Sequence, residues 1–406
     1  EIQKSLVFVR MTNYTSFFKG IKNVLIFVSV FTFASIVKAG EPTEIDAPEQ
    51  LHAHAVEADH NEQKVDITKV AFEHILDSHS WHLFGEGHDA VSIPLPVILK
   101  TEKGLVIFSS GEFHHDVHGM HVVEKNGERF VNFEETIYYA SDAPNAHGQY
   151  LDMEMNGNEA HVLNAAPLDF SITKNAAQLI FSAFVLILIF TSIAKSYKTS
   201  GVTSAPKGKQ SFFEPLIVFV RDDLAKGNIG HGYEKYVPYL LTVFFLILLN
   251  NVFGLIPIGA NLTGNIAFTL VLSVITLIVT NVNANGAYWH HIFMPPAPIW
   301  LWPILIPIEM VGILTKPFAL MIRLFANMTA GHIIIISLVG LIFFFESLAI
   351  SPVSVAFALF IDVLECLVAF LQAYIFTMLT ALFIGAATAD HGHEEHVHEG
   401  EVAESH

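Results

Sequence analysis

The stretch Thr315-Lys-Pro-Phe-Ala-Leu-Met-Ile-Arg-Leu-Phe-Ala-Asn-Met-Thr-Ala-Gly-His332 lies inside a mostly apolar pattern running from about Trp302 to Phe345. A second such pattern runs from about Val355 to Ala387. As continuous helices rising about 1.5 Å per residue they would measure ~65 Å and ~50 Å. The hydrocarbon of a bilayer is ~30 Å thick. Either each run folds back as a hairpin of short spans, or each is one long helix crossing obliquely. Pro317 can divide or bend the first run, but between residues 318 and 345 the punctuation is limited to Gly331 and Gly340. The second run holds Gly385, near its end. Long oblique helices are therefore expected, a geometry suited to a wall facing a rotating or sliding partner.

Arg323 puts a permanent positive charge inside the first run. A charge there costs at least ~2.5–3.5 kcal/mol on insertion scales and marks a functional position with a partner. Snorkelling to the headgroups is the alternative, and it needs a residue near the end of its span. At about 100° per residue, Glu309, Lys316 and Arg323 share one face, and Asn327 lies one turn beyond on nearly the same side. His332 follows Arg323 by nine residues and falls half a turn around the helix. In the second run Glu365 and Gln372 share a face, with Asp362 one turn earlier. A carboxyl and an imidazole suit proton relay, because surroundings shift either one across the working pH range. Arginine does not deprotonate and suits the opposite task, a fixed barrier that attracts an anionic carboxylate.

Working outward, three shorter spans are expected at Ala176–Ala194, about 236–257 and about 264–283, the last two joined by a turn-like connection. Asn250 and Asn251 sit deep in the second of these, where buried amides either line a hydrated path or bond a neighbouring helix. Residues 210–220 read as an amphipathic helix at the membrane surface. Lys195, Lys198, Lys207 and Lys209 after the first span favour the cytoplasmic side there.

The chain has 406 residues, 52% of them hydrophobic, with mean hydropathy +0.49, 22 His and a formal net charge of −18. Most acidic residues lie before residue 172 or after residue 388, so the membrane region is flanked by a polar front domain and a short tail. This acidity excludes nucleic acid as an expected partner. The single Cys366 excludes an internal disulfide. Residues 1–10 read as a possible upstream extension and 11–39 as a signal peptide, with Lys19 and Lys22, an apolar core and Val37-Lys38-Ala39 as cleavage site. Residues 40–172 form the front domain, His-rich and mostly β, expected in the periplasm. Residues 40–66 read as flexible and Ile67 to Leu76 as a short helix. Strands are expected at Val91–Leu99, Leu105–Phe108, His121–Val123, Phe130–Phe133 and Thr136–Tyr139, with turns at Gly104 and Asn126-Gly127. His114, His115, His118 and His121, and likewise His74, His79 and His82, invite a metal reading. Scattered surface histidines read as well, and neither a metal nor another cofactor is expected. Residues 173–388 form the membrane domain, and 389–406 an acidic, His-rich cytoplasmic tail.

With these residues in view, residues 170–388 closely resemble subunit a of the membrane sector of F-type rotary ATP synthases. The resemblance is carried by Lys195 to Gln210 leading into a helix with Glu214, by Asn250-Asn-Val-Phe-Gly-Leu-Ile-Pro257, by Thr315 to His332, and by Leu371-Gln-Ala-Tyr-Ile-Phe-Thr-Met-Leu-Thr380. The front domain and Asp169-Phe-Ser-Ile-Thr-Lys174 resemble the Bacteroidetes version of the subunit. The resemblance implies that Arg323 is the essential arginine facing the carboxylate of each passing c subunit. It implies that His332 and Glu365 are an acid–imidazole pair in the proton route, exchanged in type relative to many bacterial members. Gln372 matches a glutamine near the arginine, and Glu309 a polar position one face-repeat before Lys316. Asn327, Asn250, Asn251 and Asp362 complete the expected proton pathway. The implied partners are the c-subunit ring, the b subunits, the rest of the ATP synthase complex, the lipid bilayer and transported protons, with the protein multi-pass in the cell inner membrane. The subunit itself is expected to be non-catalytic, since no Gly-x-x-x-x-Gly-Lys-Ser/Thr sequence is present. A secondary transporter is the competing class, without an internal repeat to support it. A receptor or assembly protein using the front domain as a binding module is the other.

Overall fold

The computed structural model describes residues 77–84, 91–156, 159–200, 208–256, 259–295, 297–345 and 351–389. The extension, the signal peptide, the segment 40–66, the helix expected at Ile67 to Leu76 and the tail beyond residue 389 lie outside the described residues.

The front domain is built of small antiparallel sheets. Strands β1 (Ser80–Phe84) and β2 (Val91–Pro94) pair, β10 (Leu168–Asp169), β3 (Pro96–Thr101) and β4 (Gly104–Ser109) form a second sheet, and β5 (Val123–Lys125), β6 (Glu128–Phe133) and β7 (Thr136–Tyr139) a third. β8 (Met153–Asn156) pairs with β9 (Glu159–Val162). Period-two alternation decides which side chains turn inward. Val97 and Leu99 of β3 and Val106 and Phe108 of β4 are buried, while Leu105 and Ile107 between them face out. With Phe113, Val123, Phe130 and Ile137 they make the core of this domain. The β5–β6 hairpin turns at Asn126-Gly127, whose φ values of 54° and 71° are the left-handed pair that a two-residue hairpin demands.

The strand expected over Val91–Leu99 is two strands. Pro94 and Pro96 bracket Leu95 and donate no ladder hydrogen bond. Leu95 leaves the ladder instead, its N–H donating to Ser110 Oγ at 2.9 Å and its carbonyl accepting from Ser110 N at 2.9 Å. The strand expected at His121–Val123 begins at Val123. β1, β8, β9 and β10 were not legible as strands.

The membrane part opens with α1 (Lys174–Ser200). α2 (Lys209–Val218) continues through a π-helical stretch, Phe219–Lys226. Next come α3 (Val237–Gly254) and α4 (Ile266–Val282), close to their expected bounds. α5 (Gly286–Phe293), not expected, leaves α4 at 101°. It is tethered at its start: Asn285 N donates to Ala387 O at 2.9 Å and Asn285 Nδ2 to Thr388 O at 2.7 Å.

The two long runs are single helices. α6 (Trp302–Phe345) has 44 residues and passes through Pro307 and Pro317 without a break, and α7 (Ser351–Thr388) has 38. Both exceed the ~20 residues a perpendicular crossing needs, so each crosses obliquely. α3 is the central helix, with 72% of its apolar window buried, against 17% in α6 and in α7. Close approach between helices rests on small residues. A methyl group at Gly385 of α7 would collide with the carbonyl of Asn228, which follows the π-helical stretch.

Candidate functional site

α6 and α7 run antiparallel. Ser354 Oγ of α7 hydrogen-bonds Leu338 O of α6 near the connection, and Lys316 Nζ lies 5.6 Å from the Phe383 ring centroid towards the other end. Between these contacts Gly331 makes a cradle. A Cβ there would occupy the place of Glu365 Oε1. Only a residue without a side chain admits the carboxyl at this point, which sets Glu365 beside the backbone that carries His332. His332 in turn approaches α3, where a Cβ on Gly254 would stand 3.8 Å from its Nε2. Glu365 Oε2 is buried and has no hydrogen-bond partner among the described residues.

A row of buried amides and hydroxyls leads to this seam. Asn250 and Asn251 are completely buried. Asn250 Nδ2 donates to Ser182 Oγ of α1 at 3.2 Å and to Leu246 O at 2.8 Å, and Asn251 Nδ2 donates to Ala369 O of α7 at 2.9 Å. Ala369 is one helical turn from Glu365. Among the described residues the Oδ1 atoms of both asparagines are left without a partner. An unpaired buried amide oxygen costs ~1–3 kcal/mol, a cost that water in a polar channel removes.

The opposite side of α6 differs. Arg323 and Asn327 are exposed, and among the described residues no carboxylate pairs with Arg323. Exposed apolar side chains line α6 and α7: Leu314 at 66%, Phe318 at 57%, Val363 at 69% and Leu367 at 64%. Gln372, which the Gly331–Glu365 and Lys316–Phe383 contacts place about level with Arg323, turns inward and is buried. Asp362 is exposed on α7, and Glu309 is half-buried near the start of α6, close enough to Tyr288 of α5 to act on it electrostatically. A cleft at that end is lined by Thr276, Thr280, Asn281, Tyr288, Lys316 and Phe383.

The profile of the ATP synthase A chain family matches residues 177–385, all but the outermost residues of this helical assembly. The chain belongs to that family. ATP synthase subunit a of Chloroherpeton thalassium is 52% identical over 237 residues, which is 57% of this chain and 71% of the relative. Subunit a 2 of Chlorobaculum tepidum is 50% identical over 257 residues, 61% of this chain and 72% of the relative. Subunit a of an Anaeromyxobacter species is 42% identical over 259 residues, 62% of this chain and 61% of the relative. A domain of unknown function (DUF8433) matches residues 70–170, so the β front domain is an addition to the subunit a body.

As a member of the subunit a family, the chain is a multi-pass membrane component of an ATP synthase and works with the remainder of that complex. The structure thus brings Glu365, His332, Asn250 and Asn251 into one neighbourhood, and sets Arg323 and Asn327 outside it. Sequence reading missed the close fits at Gly331 and Gly254 and the contact of Ser182 with Asn250. Among the described residues no three His, Cys, Asp or Glu converge in a way that could hold a metal ion. In the front domain His114 and His121 meet edge to face, with ring centroids 4.6 Å apart.

Proposed function

We propose that the chain is the stator subunit that forms two proton half-channels against the rotating c ring of an F-type ATP synthase, coupling proton translocation to ATP synthesis. One observation carries this reading: Arg323 stands exposed on a mostly apolar helix with no carboxylate paired to it among the described residues, while Glu365 and His332 turn into a polar seam. Protons enter along the buried amides, pass the Glu365–His332 pair and neutralise a carboxylate on a c subunit. A neutral carboxyl tolerates lipid and an ionised one does not. After rotation the carboxyl reaches Arg323, whose field favours proton loss towards the cleft lined by Tyr288, Asn281 and Lys316. Glu309 belongs to this second path, Gln372 lies level with the barrier, and Asn327 and Asp362 border the ring. Each charge moved releases ~2.3 kcal/mol per 100 mV.

The same reading places the subunit in the cell inner membrane beside the b subunits. After cleavage of 11–39 the front domain is periplasmic and the 389–406 tail cytoplasmic. Lys195 and Lys198 at the end of α1 support this orientation.

Arg323→Ala is expected to abolish ATP-driven proton pumping and proton-driven ATP synthesis in membrane vesicles, a loss of at least about a hundredfold. Arg323→Lys fails as well, because an ammonium lacks the planar fork and can deprotonate. Coupled transport near the wild-type rate in Arg323→Ala would overturn the proposal.

A further inference from the structure

The front domain and α1 meet through a set of ionisable groups that the helical site does not use. Segment 77–79 wraps the start of α1 from almost a hundred residues upstream. Asp77 Oδ1 accepts from Asn175 N at 3.0 Å and from Ser78 N at 3.0 Å, and Ser78 O accepts from Lys174 N at 2.8 Å. These bonds satisfy N–H groups that a helix start leaves without partners. His79 fastens the arrangement: its Nε2 is 2.8 Å from Asp169 Oδ2, and its Nδ1 lies at ion-pair distance, 3.5 Å, from Glu135 Oε2.

From that point a polar row descends α1. Lys174, Gln178 and Ser182 follow one another at i+4 and are exposed by 9%, 1% and 0%, with Asn175 at 6%. Asn175 Nδ2 and Gln178 Nε2 are buried without partners among the described residues, and Ser182 Oγ meets Asn250. Polar groups so placed on a membrane helix mark a path rather than a packing surface.

We infer that the front domain builds the outer end of the proton path, with Asp77 as its uptake carboxyl and Asn175, Gln178 and Ser182 leading from it to Asn250. The inference rests on the half-channel reading above and extends it into a domain the subunit a profile does not cover. Asp77 takes a proton from water on the front-domain side and passes it to a file of water oxygens. Each oxygen gains one O–H bond as it gives up another, and the amides hold the file without being protonated. Burial pushes the Asp77 carboxyl above the usual carboxylate range, against the opposing hydrogen bonds from Asn175, Ser78 and the charge of Lys174. The charged groups around it are Lys174 at the head of α1 and, beyond Ser78, His79 with Glu135 and Asp169.

The test uses the intact ATP synthase in liposomes, reading synthesis against pH on the front-domain side. Asp77→Asn is expected to slow synthesis at least about tenfold and to remove one titrating group from the pH profile, and Asp77→Glu to restore both. An unchanged rate and profile, or a loss equal at every pH that Glu does not rescue, would overturn the inference. If Asp77→Asn does not assemble, Gln178→Leu decides: slowed synthesis supports the path and the wild-type rate refutes it. Arg323→Ala in the same preparation separates the two proposals. If it is inactive while Asp77→Asn is normal, the front-domain inference alone falls; if it is active, the half-channel reading falls first.

Discussion

The two sides of α6 hold polar residues in opposite ways. On the outer side Arg323 projects from an exposed apolar surface, with no carboxylate to meet it among the described residues. On the inner side Glu365 fits against Gly331, His332 faces Gly254, and asparagines bond neighbouring helices while keeping spare acceptors. A structural amphipathic helix confines its polar residues to one stripe. α6 does not. On the proposed function, the outer charge awaits a partner brought from elsewhere, and the inner groups serve something small enough to pass between packed helices.

The inner side can be broken most severely at its carboxyl. Glu365→Gln keeps the shape but removes the titrating group, and is expected to lower proton-driven synthesis by about a hundredfold. A near-normal rate would reduce Glu365 to a packing residue. Exchanging Glu365 and His332 sharpens the comparison further, because retained proton flux in vesicles shows that the pair matters more than its order. The exchange puts imidazole against Gly331, so its flux is expected below wild type and above Glu365→Gln. Next in size is the cradle. Gly331→Val puts a Cβ where the Glu365 carboxyl lies and is expected to slow synthesis about tenfold with the complex still assembled. An unaffected rate would mean that the carboxyl works equally well displaced.

The smallest effect lies outside the membrane. Burial pulls the His79 imidazole down, yet hydrogen bonds and charge from Asp169 and Glu135 outweigh it and hold the group at about 10, above its ordinary 6.5. A raised value means that the clamp contributes fully below about 6.5 and is lost as pH climbs towards about 10. Asp169 is held below its ordinary value: burial opposes this, but the bonds from His79 and Ser171 prevail, so its contribution disappears only in acid. Hydrogen exchange in the front domain is therefore expected to rise across the alkaline window in the wild type. His79→Gln should raise exchange at neutral pH and flatten that rise. A wild-type profile in the variant would show that His79 does not fasten the domain.

Much of the outer side was legible in the sequence, because it depends on positions within one helix. The length of the apolar run from Trp302, its sparse punctuation and the half-turn between Arg323 and His332 all follow from a regular rise and twist. The inner side depends on register between helices. Nothing local to Ala330-Gly331-His332 reveals that Glu365 lies across from it, and Asn250 gives no sign of Ser182 sixty-eight residues away. The bend into α5 was missed for the same reason, being held by bonds to the far end of α7. In the front domain, β3, β4 and β6 were visible as short apolar-rich runs beside turn residues. β8 to β10 are short and mix Glu, Asn, His and Asp into their few residues, so no period shows, and the capping of α1 by Asp77 joins segments that are far apart in sequence.

The central claim is that Arg323 is a barrier facing the ring and not a carrier of protons. It is tested most directly by passive proton conductance of the membrane sector in liposomes, with the c ring present and the catalytic head removed. The account predicts that Arg323→Ala conducts protons down a gradient faster than the wild type while failing to support ATP synthesis once the head is restored. Conductance no higher than wild type together with intact synthesis would contradict it.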